Sequence, residues 1–546
     1  MRCHPCRTAS APGKVLLVGG YLVLHRPHCA LVAGASARFY VTAEWTAEGT
    51  DTGAAPGMVG VRVVSPQFHS DRVFRLAAEA PFAFSGDEPP SFIALALRTV
   101  LLAAGRAAPP ALAAGRDSGR VLRLTLRADN DFYSQLPHLE AAATEVTADA
   151  LRAVPPFQPP PTEAELARGD GTSAPAIRKT GLGSSAALTV ALSAAVAALL
   201  GALPADAALP GQGGPPAVAA GPVSRAWLMR CGQVSHGLAQ GKVGSGFDVS
   251  AAVLGTQLYQ RVSRDVLAGA MSSVDAALAG GARDGAEAVL RGEAAPNGGA
   301  GAGARGGAGQ FGPGWDLEVG PAGLPACVDL LLADVSGGSS TPSMVRKVEA
   351  WRASGAEAAA RWEGVAEATA AAQRALRGLA DAQGACGDAG SAAAALAFAA
   401  TTTADAWAAG PGSGAPLPAE GMALLASLAD ASASLKAWRA SMHAMGEAAG
   451  VPIEPESQTA LLDATEALPG VIAAAVPGGE PSCASQSPTL AHRLWRSCHP
   501  HKSAARCFPS QPAASMRSTR SACARPRHGR RSRDAGWASE AGSSCP

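Results

Sequence analysis

Residues 179–200 read KTGLGSSAALTVALSAAVAALL, a glycine–serine loop running straight into an Ala-rich apolar segment with no breaker before Gly201. This is the sequence form of a loop feeding a helix N-terminus. Gly181 and Gly183 permit tight backbone turns and close approach of a ligand. Beyond them, Ser184, Ser185 and the first N–H groups of the helix face outward, where the helix dipole favours an anion. Lys179 adds a positive charge just ahead of the loop. A nucleotide's phosphates are the obvious candidate. A serine-capped helix after a glycine turn has the same local form, so the rest of the chain has to decide.

Outward from this stretch, residues 153–177 and 204–222 are rich in proline, glycine and small residues, and both read as surface inserts. A helix is expected over about 223–240. GKVGSGFDVSAAVLGTQLYQRV, 241–262, then supplies a glycine-rich turn, a short helix and a strand. Upstream, APGKVLLVGGYLVL (11–24) opens as a strand behind Pro12 and Gly13 and breaks at Gly19 and Gly20. Residues 30–46 look like the edge of a strand pair, enriched in Val, Phe, Tyr and Trp. Short strands are expected at 61–64 and 72–76, a helix over 91–105 ended by Gly105, and a half-buried strand over 121–128. Residues 296–314 are almost all Gly, Ala and Asn and read as a flexible linker. Beyond it, CVDLLLADV (327–335) and GVIAAAV (470–476) read as strands, with Ala-rich helices between them. Strands and helices mix without regular βαβ alternation, which gives an α+β fold of two lobes.

Composition sets limits on this reading. The chain has 546 residues, 47% hydrophobic and 16% charged, enough for two or three domains. Its net charge of +1 hides an asymmetry. Eleven Lys/Arg and two Asp/Glu follow residue 480, so the preceding part carries 34 Lys/Arg against 42 Asp/Glu. Residues 481–546 show neither helical nor strand periodicity and are expected to be a disordered basic tail. No nucleic-acid role is expected of it. Body cysteines lack paired spacing, and Cys3 and Cys6 form a lone CxxC, so a reducing compartment is expected. No membrane span is expected: segment 186–203 is apolar but Ala-dominated and follows the polar loop. There is no His/Cys cluster for zinc.

Three glycine-rich turns with polar side chains now stand out, at 179–186, 241–248 and 336–344, together with Lys14 behind its own Pro-Gly turn. Converging on one cleft, they make a phosphoryl-transfer site, which needs backbone donors and cations around phosphate, a hydroxyl or carboxylate for a metal, and a carboxylate near the attacking oxygen. GxxxxGK[ST] and the HRD and DFG signatures are absent, so P-loop enzymes and protein kinases are excluded.

The blocks APGKVLLVGGYLVL, KTGLGSSAAL, GKVGSGFDVSAAVLG, GGSSTPSM (337–344) and MGEAAGVPIEPESQTALLDAT (445–465) resemble the plant and fungal phosphomevalonate kinases, of the GHMP kinase superfamily. They occur in the family's order over roughly residues 11–477. The resemblance implies a ribosomal-S5-domain-2-like N-terminal lobe over 8–265, a Gly/Ala-rich linker or insert over 266–324, and a ferredoxin-like, helix-rich C-terminal lobe over 325–480. It implies ATP-dependent phosphorylation of (R)-5-phosphomevalonate with Mg2+. It also implies a cytoplasmic location, with the peroxisome as the alternative compartment. Oligomeric state is not given.

Carried over by position, Gly181, Leu182, Gly183, Ser184, Ser185 and Ala186 match the nucleotide loop. Lys179, Asp248 and Lys14 match catalytic positions. Ser184, Ser185 and Asp248 are the metal candidates, and Ser339, Ser340, Thr341, Gly244 and Ser245 the substrate-binding ones. Helix capping by Asp248 and by Ser339–Thr341, and an exposed strand-end position for Lys14, are the plain structural alternatives. Asn130, Asp131 and Tyr133 match a further block that a turn explains equally well, and His236 is expected to be a packed or capping residue. The match stops at Pro477, Gly478 and Gly479, where the family continues into a third glycine loop. If the chain truly ends this way, weak or no activity and an unsatisfied sheet edge are expected, and a catalytically impaired paralogue or ligand-binding regulator becomes the alternative function. The acidic-glycine run of the family before GGSSTP is replaced by LADVS (332–336), which keeps a carboxylate at Asp334.

Overall fold

Two long antiparallel strands, β1 (Cys6–Val18) and β2 (Ala30–Ala47), begin the chain and organise the first lobe. The computed structural model describes residues 6–47, 56–142, 144–159, 179–202, 222–296, 310–333, 341–412 and 417–476. β2 is a shared central strand rather than an edge: it pairs with β1, with β6 (Arg120–Ala128) and with β7 (Gln257–Gln260). β3 (Met58–Ser65), β4 (Ser70–Ala77) and β5 (Phe84–Ser85) extend the sheet on one side, β3 lying parallel to β6. β8 (Glu318–Gly320) closes the other side against β7.

Helices cover one face of this sheet. α1 (Ser91–Ala104) ends at Gly105, whose φ of 56° stops the helix as expected. α2 (Ser184–Leu199) packs on β1, β2 and α1. Alanines let it approach the sheet closely, and Val190, Leu192 and Val196 are fully buried, each contributing about 1.5–3 kcal/mol. α3 (Pro222–Gln240) and α4 (Phe247–Leu254) complete the layer.

The stretch expected as a linker or insert, 266–324, is folded wherever it is described. α5 (Arg264–Leu278) and α6 (Asp284–Arg291) pack Leu267, Ala270, Met271, Val274 and Leu290 into the main core. The spacing of those α5 residues is helical and amphipathic; the small residues around them obscured it. Phe311, Trp315 and Leu317 also enter the core, so the first lobe runs through β8. Residues 297–309 lie outside the described residues.

The second lobe is helical. α7 (Thr341–Arg352), α8 (Ala356–Ala385), α9 (Ala419–Ala449) and α10 (Glu456–Glu466) are its main helices. It docks on the first through one apolar cluster: Val18, Leu22 and Leu31 pack with Val348, Trp362 and Met442. His25 joins the same junction, its Nε2 2.6 Å from Glu349 Oε1. Half-buried Arg439 on α9 ties down α10 and the segment before it, with Glu454, Asp463 and Glu466 at 2.6, 2.8 and 3.2 Å.

Two expected strands do not form among the described residues. Residues 327–333 and 471–476 form no ladder with any described residue. Side chains hold the second segment instead: Ser432 donates to the Ile472 carbonyl at 2.6 Å and Ala474 N–H to Glu466 at 3.1 Å. Leu330, Leu331 and Leu332 are 46%, 58% and 48% exposed. An apolar β-prone run becomes a strand only when a neighbour accepts its hydrogen bonds. The C-terminal lobe is therefore helix-rich as expected, with no strand among its described residues, and the α+β class rests on the first lobe.

Candidate active site

β1 passes beside the loop before α2. The Lys14 N–H donates to the Leu182 carbonyl at 2.8 Å, and Lys14 Nζ donates to the Gly181 carbonyl at 2.6 Å. Lys14 is only 8% exposed and its ammonium sits 5.5 Å from the Phe247 ring centroid. It is thus an interior cation in mid-strand, not a strand-end lysine. Gly13 must be glycine-sized, because a Cβ there would meet Leu182 O at 2.9 Å.

The N-terminus of α2 is open. Its cap is Gly183, at φ 75° and ψ 43°, with no side chain to satisfy the first N–H groups. Ser184 and Ser185 are therefore not capping residues. α4 repeats the arrangement: its cap is Gly246, at φ 76°, again without a side-chain bond. Asp248 lies inside the first turn of α4 rather than at its cap position, and its Oδ1 accepts the first-turn Val249 N–H at 2.9 Å.

The two helix ends converge. A Cβ on Gly183 would lie 3.2 Å from Lys14 Cγ and 3.7 Å from Asp248 Cβ. Lys14, the 181–185 loop and Asp248 thus come together beside two positive helix ends. The turn before α4 is braced from behind. The Gly244, Ser245 and Gly246 carbonyls accept from Arg261 Nη2 (2.8 Å), Tyr259 OH (2.6 Å) and Gln233 Nε2 (2.8 Å). Burial pushes the Tyr259 phenol pKa up and the Arg261 guanidinium pKa down.

His236 on α3 enters the same cluster. Its Nε2 lies 3.0 Å from Ser185 Oγ and 3.8 Å from Asp248 Oδ2. It is packed, as expected, but packed against two site residues. Sequence reasoning gave no place in the site to His236, Gln233, Tyr259 or Arg261. The one available signal is that α3 runs directly into the 241–248 turn, so its last two turns must flank it.

Other expected residues fall differently. Lys179 is exposed, in an isolated β-bridge with Tyr133, two residues ahead of Gly181. Asn130 fills the turn role: its Nδ2 donates to the Pro155 carbonyl at 2.8 Å and its Oδ1 accepts from Gln158 N–H at 2.9 Å. The Asp131 carbonyl accepts from Thr180 Oγ1 at 2.5 Å, bracing the same loop. Burial raises the Tyr133 phenol to about 12. Ser339 and Ser340 lie outside the described residues, and Thr341 is the first residue of α7.

For a metal the donors are hard oxygens, those of Ser184, Ser185 and Asp248. Two of them, Ser185 Oγ and Asp248 Oδ2, lie 3.0 and 3.8 Å from the same imidazole nitrogen, His236 Nε2. Among the described residues no three His, Cys, Asp or Glu form a metal-holding group.

No family model matches the chain. Among curated proteins it is 33% identical over 492 residues to the peroxisomal phosphomevalonate kinase of Arabidopsis thaliana, covering 86% of this chain and 87% of that protein. The chain belongs to the phosphomevalonate kinase family. The phosphomevalonate kinase of Gibberella zeae is 30% identical over 490 residues, covering 87% of this chain and 86% of that protein. Among solved structures, Streptococcus pneumoniae phosphomevalonate kinase in complex with phosphomevalonate and AMPPNP is 12% identical, with a TM-score of 0.40 over 89% of this chain and 95% of that one. The assignment to the phosphomevalonate kinases rests on the sequence relatives, and it makes the Lys14–Gly183–Asp248 cluster the candidate phosphoryl-transfer site of a kinase.

Proposed function

We propose that this chain transfers the γ-phosphoryl group of ATP to the phosphate of (R)-5-phosphomevalonate, giving (R)-5-diphosphomevalonate and ADP. The observation that carries the reading is the meeting of two helix ends whose cap residues, Gly183 and Gly246, carry no side chain, around the buried cation Lys14. Such a space favours phosphate twice over, by its N–H groups and by charge. The attacking group is itself a phosphate, already ionised near neutral pH. Bringing two anions together is then the main barrier, so charge neutralisation matters more than proton abstraction.

The residues divide that work. Gly181–Ser185 cradle the nucleotide phosphates. Lys14 neutralises charge from inside the cleft, and Lys179, exposed ahead of the loop, steadies the phosphoryl group in transfer. Gly244, Ser245 and Ser339–Thr341 hold the phosphomevalonate side. Asp248, Ser184 and Ser185 hold Mg2+, which when bound screens the negative charge of the phosphates. Free cysteines in the body fit a reducing compartment; the cytoplasm is the proposed location, with the peroxisome as the alternative in view of the Arabidopsis relative. The reading is tested by coupled ADP release with phosphomevalonate, mevalonate and water as alternative acceptors. Release that depends on phosphomevalonate supports it, and release that depends on mevalonate, or on no acceptor, refutes it.

A further inference from the structure

We propose that His236 is a positioning residue of this site: its Nε2 accepts the Ser185 hydroxyl proton and so turns the serine oxygen's lone pairs toward the space shared with Asp248. The proposal rests on reading the cluster as the kinase site.

A serine hydroxyl has one hydrogen and two acceptor lone pairs. To offer its oxygen to a cation, it must direct the hydrogen elsewhere. His236 Nε2, 3.0 Å from Ser185 Oγ, provides that acceptor. The imidazole is not committed to Asp248, whose Oδ2 is 3.8 Å from Nε2, too far for a hydrogen bond. Asp248 instead accepts from the Val249 N–H through Oδ1 at 2.9 Å. Gln240 Nε2 is 3.5 Å from His236 Nε2, longer than the 3.0 Å to Ser185 Oγ. The ring cannot swing freely. It is 4% exposed and packs against Phe92, centroid to centroid 5.3 Å at 39°. α3 therefore delivers a fixed acceptor to the first turn of α2. Partners of this kind, one bond behind a metal ligand, typically carry 10–100-fold in affinity or rate.

The test is a double-mutant cycle on the full chain with His236→Phe, Ser185→Ala and the pair, plus His236→Gln, which keeps an acceptor. Two readouts are taken: kcat and KM for phosphomevalonate, and Mn2+ binding by EPR in the presence of AMPPNP, which needs no turnover. His236→Phe is expected to lower kcat about tenfold or more, leave KM within about threefold, and weaken Mn2+ binding about tenfold. His236→Gln recovers most of both losses. In the Ser185→Ala background His236→Phe adds no further loss. Equal losses in the Phe and Gln variants overturn the proposal. So do full additivity with Ser185→Ala and unchanged Mn2+ binding. If the chain transfers nothing to phosphomevalonate, the Mn2+ cycle still decides the Ser185–His236 coupling, so the two failures are distinguishable.

Discussion

Lys14→Met removes the buried cation while keeping an unbranched stem of similar length. Its effects on stability and on activity should separate. In the folded protein the ammonium makes a 2.6 Å bond to the Gly181 carbonyl and lies 5.5 Å from the Phe247 centroid. A hydrogen bond from a charged donor contributes about 1.5–3 kcal/mol, but the variant no longer desolvates an ammonium, and its stem still packs. The net change in stability is expected to stay within about 1–2 kcal/mol. The electrostatic loss toward a bound phosphate is larger. One unit charge about 4 Å away, at the effective dielectric of about 20 near a protein surface, is worth about 4 kcal/mol. At 1.36 kcal/mol per decade this is roughly a 10³-fold fall in kcat/KM. Steady-state ADP release gives the rate, and urea denaturation followed by circular dichroism gives the stability. A variant within about threefold of wild type, or one whose lost activity matches its unfolded fraction, would refute the placing of Lys14 at the phosphates.

Gly246→Ala forces a left-handed residue and puts a Cβ 2.1 Å from Gln233 Oε1. Left-handed strain of about 1–2 kcal/mol plus one lost hydrogen bond of about 1 kcal/mol should lower unfolding stability by about 2–3 kcal/mol in urea, and wild-type stability would contradict this. Arg439→Met strands the Glu454 and Glu466 carboxylates that Arg439 holds at 2.6 and 3.2 Å; a loss of about 3–5 kcal/mol is expected at neutral pH, and a neutral or stabilising result sinks the account of this junction. Asp248→Asn should raise the Mg2+ concentration for half-maximal turnover about tenfold or more, with EDTA abolishing wild-type turnover; an unchanged Mg2+ profile removes Asp248 from the metal's ligands.

The site's backbone was legible because its determinants are local. Glycines at 181, 183 and 246 announce turns, and the Ala-rich run after Ser185 announces a buried helix. The contacts that make a cluster of them are tertiary. Nothing in the spacing of His236, Gln233 or Arg261 says that each reaches a residue 13 to 51 positions away, at Ser185, Gly246 and Gly244. For α5 the difficulty was reversed: Leu267, Met271 and Val274 carry helical spacing that joins the main core, yet the segment fell inside the 266–324 linker or insert. CVDLLLADV and GVIAAAV have the composition of strands, yet strand formation depends on a partner that composition does not supply. Pro477, Gly478 and Gly479, which open the family's third glycine motif, lie outside the described residues.

The central claim is that phosphate is transferred to phosphate. It is tested most directly by a single-turnover reaction with enzyme in excess over phosphomevalonate, ATP and Mg2+, with the product identified by mass spectrometry and 31P NMR. Excess enzyme makes the result independent of how fast the chain turns over. The account predicts a diphosphate on the C5 oxygen, formed one-for-one with ADP and absent with Lys14→Met on the same timescale. Phosphomevalonate recovered unchanged, or ADP formed without a diphosphate product, would contradict it.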